Sequence, residues 1–199
     1  MSLDLDGINL FIGTNASGRS NFFDASRVLQ GIGYGLSIDE IFNGKPKSAT
    51  SQVWEGILGG LQNAAFWAGG ASSGVIAILV RCKDPSFEEE LHYRIRIDTE
   101  PPCVLSEALS LGDTLIYRLF QPGVSNALDT SRPTLPQLAK SRDCTKDQAH
   151  LMENWSRLLS DSQFLNPSTS ILRSYSSPNM VGRIGERGEN FAALIKSIL

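Results

Sequence analysis

Histidine and cysteine are scarce in this chain, and their spacing removes several chemistries at once. The two histidines, His92 and His150, have no ligand-spaced partner, so each reads as a surface or satisfied side chain rather than a metal ligand. Cys82, Cys103 and Cys144 are odd in number, far apart and without a C-x-x-C pair. That argues against a disulfide framework and against a zinc site, and it fits a reducing cytoplasm. There is no Gly-x-Ser-x-Gly elbow, and no cysteine stands at a paired-histidine spacing, so nucleophilic catalysis finds no support. Neither sign of charge dominates: 18 Lys and Arg stand against 21 Asp and Glu, a net charge of −3. The totals therefore advertise neither a nucleic-acid nor a membrane surface. No basic region followed by a long apolar run opens the sequence; the expectation is no signal peptide, no membrane anchor and no membrane partner.

What is present is one stretch with a clear chemical reading. Gly7-Ile8-Asn9-Leu10-Phe11-Ile12 is short, apolar and rich in β-branched and aromatic residues, which reads as a buried strand. Ser20 to Leu29 places Phe22, Ala25 and Leu29 at helical spacing, closed by Gly31 and Gly33. Between them lies Gly13-Thr14-Asn15-Ala16-Ser17-Gly18-Arg19-Ser20. A strand, a glycine-bearing loop and a helix in this order match the phosphate-loop template G-x-x-x-x-G-K-[ST]. In that template successive backbone N–H groups and a helix N-terminus hold phosphates. Gly13, Gly18 and Ser20 satisfy it, with Ser20 as the Mg²⁺ ligand; Arg19 stands where the template has lysine. Arginine is a planar fork rather than a compact point charge, so it can hold a phosphate but with different placement. An ordinary strand-to-helix connection is the other reading of the loop taken alone.

The residues around the loop extend the match. Leu10 to Ala25 resembles the opening of SMC/RecF-type ATPases of the ABC class, whose usual wording is a hydrophobic strand, Gly-x-Asn-x-Ser-Gly-Lys-Ser-Asn, two apolar residues and Asp-Ala. This sequence agrees at Gly13, Asn15, Ser17, Gly18, Ser20, Asn21, Asp24 and Ala25 and departs at Arg19. Ser106-Glu107-Ala108-Leu109 is similar to a Ser-Glu-x-Leu strand ending in the same group, and Gly185 to Ile195 is similar to a segment that opens a helix midway through the head. The resemblance implies an α/β fold: a P-loop NTPase-like core with an additional antiparallel β-sheet, forming part of an ABC-ATPase head. It implies ATP and Mg²⁺ as cofactors and phosphate contacts from Gly13, Asn15, Ala16, Ser17, Gly18, Arg19, Ser20 and Asn21. It also implies a homodimer through the heads, and DNA as a partner of a full-length protein.

Along the rest of the chain, Ser37 and Glu40 form a candidate capping box for a short helix ending near Asn43-Gly44. Residues 52 to 70 are ambiguous, since Val53, Ile57, Leu58 and Leu61 suit a helix that five glycines weaken. Trp54, Phe66 and Trp67 read as core or groove-covering aromatics. Val75 to Val80 is a continuous apolar strand, and Leu91 to Asp98 alternates strictly, as an antiparallel partner would. Cys103 to Leu105 and Thr114 to Phe120 are further strands. Residues 121–143 and 166–190 read as irregular loops. Thr145-Lys146-Asp147-Gln148 is a capping box ahead of an apolar stripe at Leu151, Met152, Trp155, Leu158 and Leu159. Phe191, Leu194, Ile195, Ile198 and Leu199 repeat at helical spacing.

Hydrolysis of a nucleoside triphosphate needs an acidic residue after an apolar strand to position water. Val75 to Val80 is followed by Arg81-Cys82-Lys83 before Asp84, so Asp84 reads as a turn residue. Leu109-Ser110-Leu111-Gly112-Asp113 superficially resembles the ABC signature, but a strand-like run follows it where the signature needs a helix. Arg94 with Arg96 and Arg183 with Arg187 could touch phosphate or nucleic acid, with a solvated face as the blander reading. The 199 residues thus read as a single, truncated N-terminal portion of a head, in which turnover awaits a following half. A non-catalytic regulatory or interaction domain with a degenerate loop is the alternative.

Overall fold

The computed structural model describes residues 3–5, 9, 19–45, 54–64, 66–68, 71–83, 88–120, 128–140, 144–162, 169–173, 188 and 190–198. The chain divides into two compact units, Met1–Ser160 and Asp161–Leu199. The first carries helices α1 (Arg19–Gly33), α2 (Ile38–Asn43) and α3 (Gly60–Ala64). These are followed by strands β1 (Phe66–Ala68), β2 (Ala71–Ser73), β3 (Val75–Cys82), β4 (Leu91–Thr99), β5 (Pro102–Leu111) and β6 (Thr114–Phe120), then helices α4 (Thr134–Leu138) and α5 (Lys146–Ser160). The second carries α6 (Thr169–Leu172) and α7 (Phe191–Ile198). The fold is mixed α/β, and its largest sheet is a four-stranded antiparallel meander in the order β3-β4-β5-β6. β1 and β2 form a separate antiparallel pair. Apart from Asn9, the strand expected over Gly7 to Ile12 lies outside the described residues, as do the loop Gly13 to Gly18 and the turn residue Asp84.

The alternation along β4 builds the sheet's two faces. Leu91, Tyr93, Ile95 and Ile97 are buried, while Arg94 and Arg96 between them are exposed. Successive side chains of a strand point to opposite faces, so one sheet surface is core and the other meets solvent. Neighbouring strands continue the division. Ile78 pairs with Ile95, Ile95 with Glu107, and Leu109 with Tyr117. Among the described residues β3 has no partner beyond β4 in this sheet, and its apolar run is half covered: Leu79 is 50% exposed while Ile76, Ile78 and Val80 pack on the core. A continuous apolar run here belongs to a strand paired on one side alone among the described residues.

Helices close the core face. Val28 and Ile32 of α1, Ile38, Ile41 and Phe42 of α2, and Met152, Trp155 and Leu159 of α5 join Tyr93, Ile95, Ile97, Val104 and Leu109 in one buried cluster. The Trp155 ring stands 6.1 Å from that of Tyr93; its indole N–H has no partner among the described residues. Both expected capping boxes form. The Ser37 hydroxyl accepts from the Glu40 N–H at 3.2 Å and the Glu40 carboxylate accepts from the Ser37 N–H at 2.9 Å. Thr145 and Gln148 exchange the equivalent pair at 3.1 and 3.3 Å. The α5 stripe is buried except at Leu158, which is 44% exposed and marks the helix's solvent edge.

Three local expectations shift. The first helix runs through Gly31 and ends at Gly33, and both glycines lie where another element touches its backbone. A Cβ on Gly31 would stand 2.8 Å from the Ile41 side chain, and one on Gly33 would meet Ser160 N at 2.5 Å and Ser156 O at 2.6 Å. The ambiguous region 52–70 resolves into a backbone bridge between Lys45 and Trp54, short α3 and the β1-β2 pair. Trp54 is half-buried, donates its indole N–H to Ile41 O at 3.0 Å and stacks edge-on to Tyr34; the side chains of Phe66 and Trp67 lie outside the description. Inside 121–143, residues 134–138 form α4, with Thr134 and Leu135 buried. Inside 166–190, residues 169–172 form α6. In α7, Phe191 and Ile195 are each 42% exposed, while Ala193 is buried.

The α1–α5 crossing yields a direct test. Gly33→Ala places a methyl against the backbone of Ser156 and Ser160, which cannot rotate away, so overpacking should cost about 1–3 kcal/mol. Thermal denaturation followed by circular dichroism should show Tm lowered by several degrees; an unchanged Tm would mean that the two helices do not approach this closely.

Candidate functional site

The expected site residues fall at the start of α1. The helix begins at Arg19, so its first four N–H groups, which have no intrahelical acceptors, lie immediately after the glycine-bearing stretch. Ser20 and Asn21 sit in this first turn with exposed side chains. No acidic residue occupies the turn, which leaves the positive end of the helix dipole uncompensated by the helix itself. Gly13, Asn15, Ala16, Ser17 and Gly18 lie outside the described residues, as does the side chain of Arg19. Among the sequence-derived candidates, the structure therefore sets out two side chains, Ser20 and Asn21, one residue apart.

One turn further on, α1 is tied to the segment leading into α3. Asp24 is partly buried, and burial pushes its carboxyl up from the ordinary value; a hydrogen bond from the Leu58 backbone and the Arg27 guanidinium pull the other way. Arg27 donates to Gly56 O at 3.2 Å and lies 6.0 Å from the Trp54 ring. The Asp24 of the Asp-Ala pair thus serves as a helix anchor in this structure. Arg27 and Gly56 are 29 residues apart, and no local pattern announces their pairing.

The most polar buried arrangement lies elsewhere, at Glu107 on β5. This side chain is 1% exposed. Its Oε1 accepts from Tyr93 OH at 2.9 Å, Tyr117 OH at 2.8 Å and the Leu135 N–H at 3.0 Å, and its Oε2 accepts from the Thr134 N–H. α4 begins after Pro133, which offers no side-chain cap; the Glu107 carboxylate supplies the acceptors that the first N–H groups of a helix lack. Burial raises the carboxyl pKa above its ordinary 4.5, opposed by the four hydrogen bonds. Burial and the neighbouring carboxylate push both tyrosines well above their ordinary value, so they stay protonated and donate. All four donors come from within the fold, which makes this an anchor joining β4, β5, β6 and α4. The Ser106-Glu107-Ala108-Leu109 stretch is internal to β5, which runs on to Leu111.

The described surface also has a shallow cavity of about 350 Å³ lined by Gly33, Tyr34, Pro136, Gln137, Lys140 and Ser156, among others. It lies at the far end of α1, roughly 20 Å from the first turn by helical rise, and none of the described loop residues lines it. Its arginine, Arg132, is engaged with Gly35 O at 3.0 Å and with the Glu40 and Asp129 carboxylates. Neither histidine is placed to ligate: His92 faces Glu90 at 3.4 Å and His150 meets Asn154 at 3.0 Å. The three cysteines form no disulfide and are partly buried. Among the described residues there is no cluster of three metal-ligating side chains, and no helix is long and apolar enough to cross a membrane. No protein-family model, no curated protein and no solved structure matches this chain.

The Glu107 anchor makes two predictions. Glu107→Gln keeps the side-chain volume but turns an acceptor oxygen into a donor among donors. A buried donor left unpaired costs about 1–3 kcal/mol, so Tm at neutral pH should fall by several degrees. The raised pKa also sets a sign. The folded chain holds this proton more tightly than the unfolded chain, so the contribution of Glu107 is most favourable below its ordinary value of 4.5. It declines as pH rises from there through the raised folded-state value. That component should vanish in Glu107→Gln, and a stability profile against pH parallel to the parent's would contradict the assignment.

Proposed function

We propose that this chain binds the phosphates of ATP with Mg²⁺ through Gly13 to Asn21, as the N-terminal part of an SMC/RecF-like ATPase head built on a P-loop core. The observation that carries the reading is the start of α1 at Arg19, the position at which the glycine-bearing loop should hand over to a helix N-terminus. Exposed Ser20 and Asn21 in the first turn, and the absence of an acidic residue there, suit an incoming polyanion. Ser20 would hold the metal; Gly13, Asn15, Ala16, Ser17, Gly18 and Arg19 would hold the phosphates by main chain and side chain. Bound Mg²⁺ would neutralise charge on the phosphate oxygens, and the chain's own part is to orient them. Turnover and head-to-head dimerisation belong, in this reading, to a longer protein that adds a signature segment and an acidic strand.

A second reading has its own support in Arg19, which replaces the point charge of lysine with a bulkier fork. Under it, the chain is a regulatory or interaction domain whose loop no longer takes nucleotide.

Calorimetric titration of ATP with Mg²⁺ separates the two. Saturable binding is expected, lost in Gly18→Asp and weakened about tenfold in Ser20→Ala, a change of ~1.4 kcal/mol. Arg19→Lys should tighten it. Absence of binding by the parent and by Arg19→Lys alike would favour the regulatory reading.

A further inference from the structure

The outer face of the β3–β6 sheet gathers basic side chains that the core does not use. On β4, His92, Arg94 and Arg96 point away from the core. Register places Arg81 beside His92, Leu79 beside Arg94 and Ala77 beside Arg96 on one side. On the other side Ser110, Ala108 and Ser106 stand beside the same three residues, and Arg118 of β6 lies across Ala108. Arg81, Arg94, Arg96 and Arg118 are exposed. Arg81, Arg94 and Arg96 form no ion pair among the described residues. The side chains on β5 between the arginines of β4 and β6 are small, so they form a shallow track floored by Ser106, Ala108 and Ser110.

This arrangement differs from a charge run scattered over a solvated surface. The chain as a whole has a net charge of −3, yet the centre of this face carries four arginines and a histidine. Carboxylates confine it at both ends of the strands: Glu88, Glu89, Glu90 and Asp113 beyond Arg81 and His92, and Asp98 and Glu100 beyond Arg96. The positive field therefore runs across the strands rather than along them. Arg94 and Arg96 are about 7 Å apart along β4, and Arg118 lies two strand spacings from Arg94, about 10 Å. Guanidinium groups present planar, paired donors that suit phosphate oxygens. Register also sets Phe120 of β6 across Ser106, but the groups gathered at the centre of the face are guanidinium groups, whose contacts would be to the backbone and independent of sequence.

We propose that this face binds the phosphodiester backbone of a nucleic acid lying across the strands over Arg94, Arg96 and Arg118. The proposal does not rest on nucleotide binding at α1. Each arginine–phosphate contact releases condensed counterions, so affinity falls linearly on a log–log plot against salt.

Fluorescence anisotropy of a labelled oligonucleotide, single-stranded and duplex, titrated with the intact chain over a salt series tests this. Salt-dependent binding that varies little with base sequence is expected. Arg94→Ala with Arg96→Ala should reduce the salt slope by about two, and the single changes Arg94→Gln and Arg96→Gln by about one each. Arg94→Lys with Arg96→Lys should keep most of the slope, and Lys140→Ala with Lys146→Ala, outside this face, should leave it unchanged. Should the alanine pair unfold, the glutamine singles and the lysine pair carry the test. The proposal is overturned by absence of binding, by an unchanged slope in the arginine variants, by equal loss in the lysine control, or by poly-glutamate competing as well as the oligonucleotide at equal charge.

Discussion

One carboxylate holds the first unit's sheet to its helices. Glu107 sits on the core side of β5, and its two oxygens take hydroxyl protons from Tyr93 on β4 and Tyr117 on β6 and backbone protons from Thr134 and Leu135 at the start of α4. An unpaired carboxylate at that depth would be strongly disfavoured; four donors make it tolerable, and in return it fixes where 128–140 runs. With that segment in place, the Thr130 carbonyl accepts from Val104 N–H and the Ser131 carbonyl accepts from Ile38 N–H, each at 2.8 Å, and Arg132 reaches Gly35 and Glu40. The sheet, α2 and the end of α1 are thereby linked through a stretch that composition alone assigns to loop.

The second constraint is the close passage of α1 and α5. Gly33 brings the helix backbones together at Ser156 and Ser160, and the Ser156 hydroxyl donates to Gly33 O at 3.1 Å. This contact pins the C-terminal end of α1. The turns just after its first are held instead by Asp24 and Arg27 against the segment that includes Gly56 and Leu58. A helix secured at both ends is a rigid mount for whatever its N-terminus binds, which is how the fold bears on the proposed phosphate site.

The sheet divides labour between its faces by strand alternation. Inward positions carry the core and the Glu107 anchor, while outward positions carry arginines separated by small residues. The same period of two that buries Tyr93 and Ile95 presents Arg94 and Arg96 to solvent. A one-residue slip in register would bury the arginines and expose the core.

By itself the sequence determined those features whose physics is local. These include the capping boxes at Ser37 and Thr145, the helical spacing of Phe22, Ala25 and Leu29, the alternation of β4 and the antiparallel run of strands, because capping, periodicity and hairpin pairing are decided within a few residues. It also marked Ser20 and Asn21 as the opening of a helix. Only the tertiary structure decided that Gly31 and Gly33 also serve close packing, that Val75 to Val80 is paired on one side alone among the described residues, and that 134–138 is a buried helix. In the same way, Glu107, met by donors 10 to 28 residues away, became an anchor. Each of those depends on a partner distant along the chain, and nothing in a residue's own neighbourhood specifies which distant group will meet it.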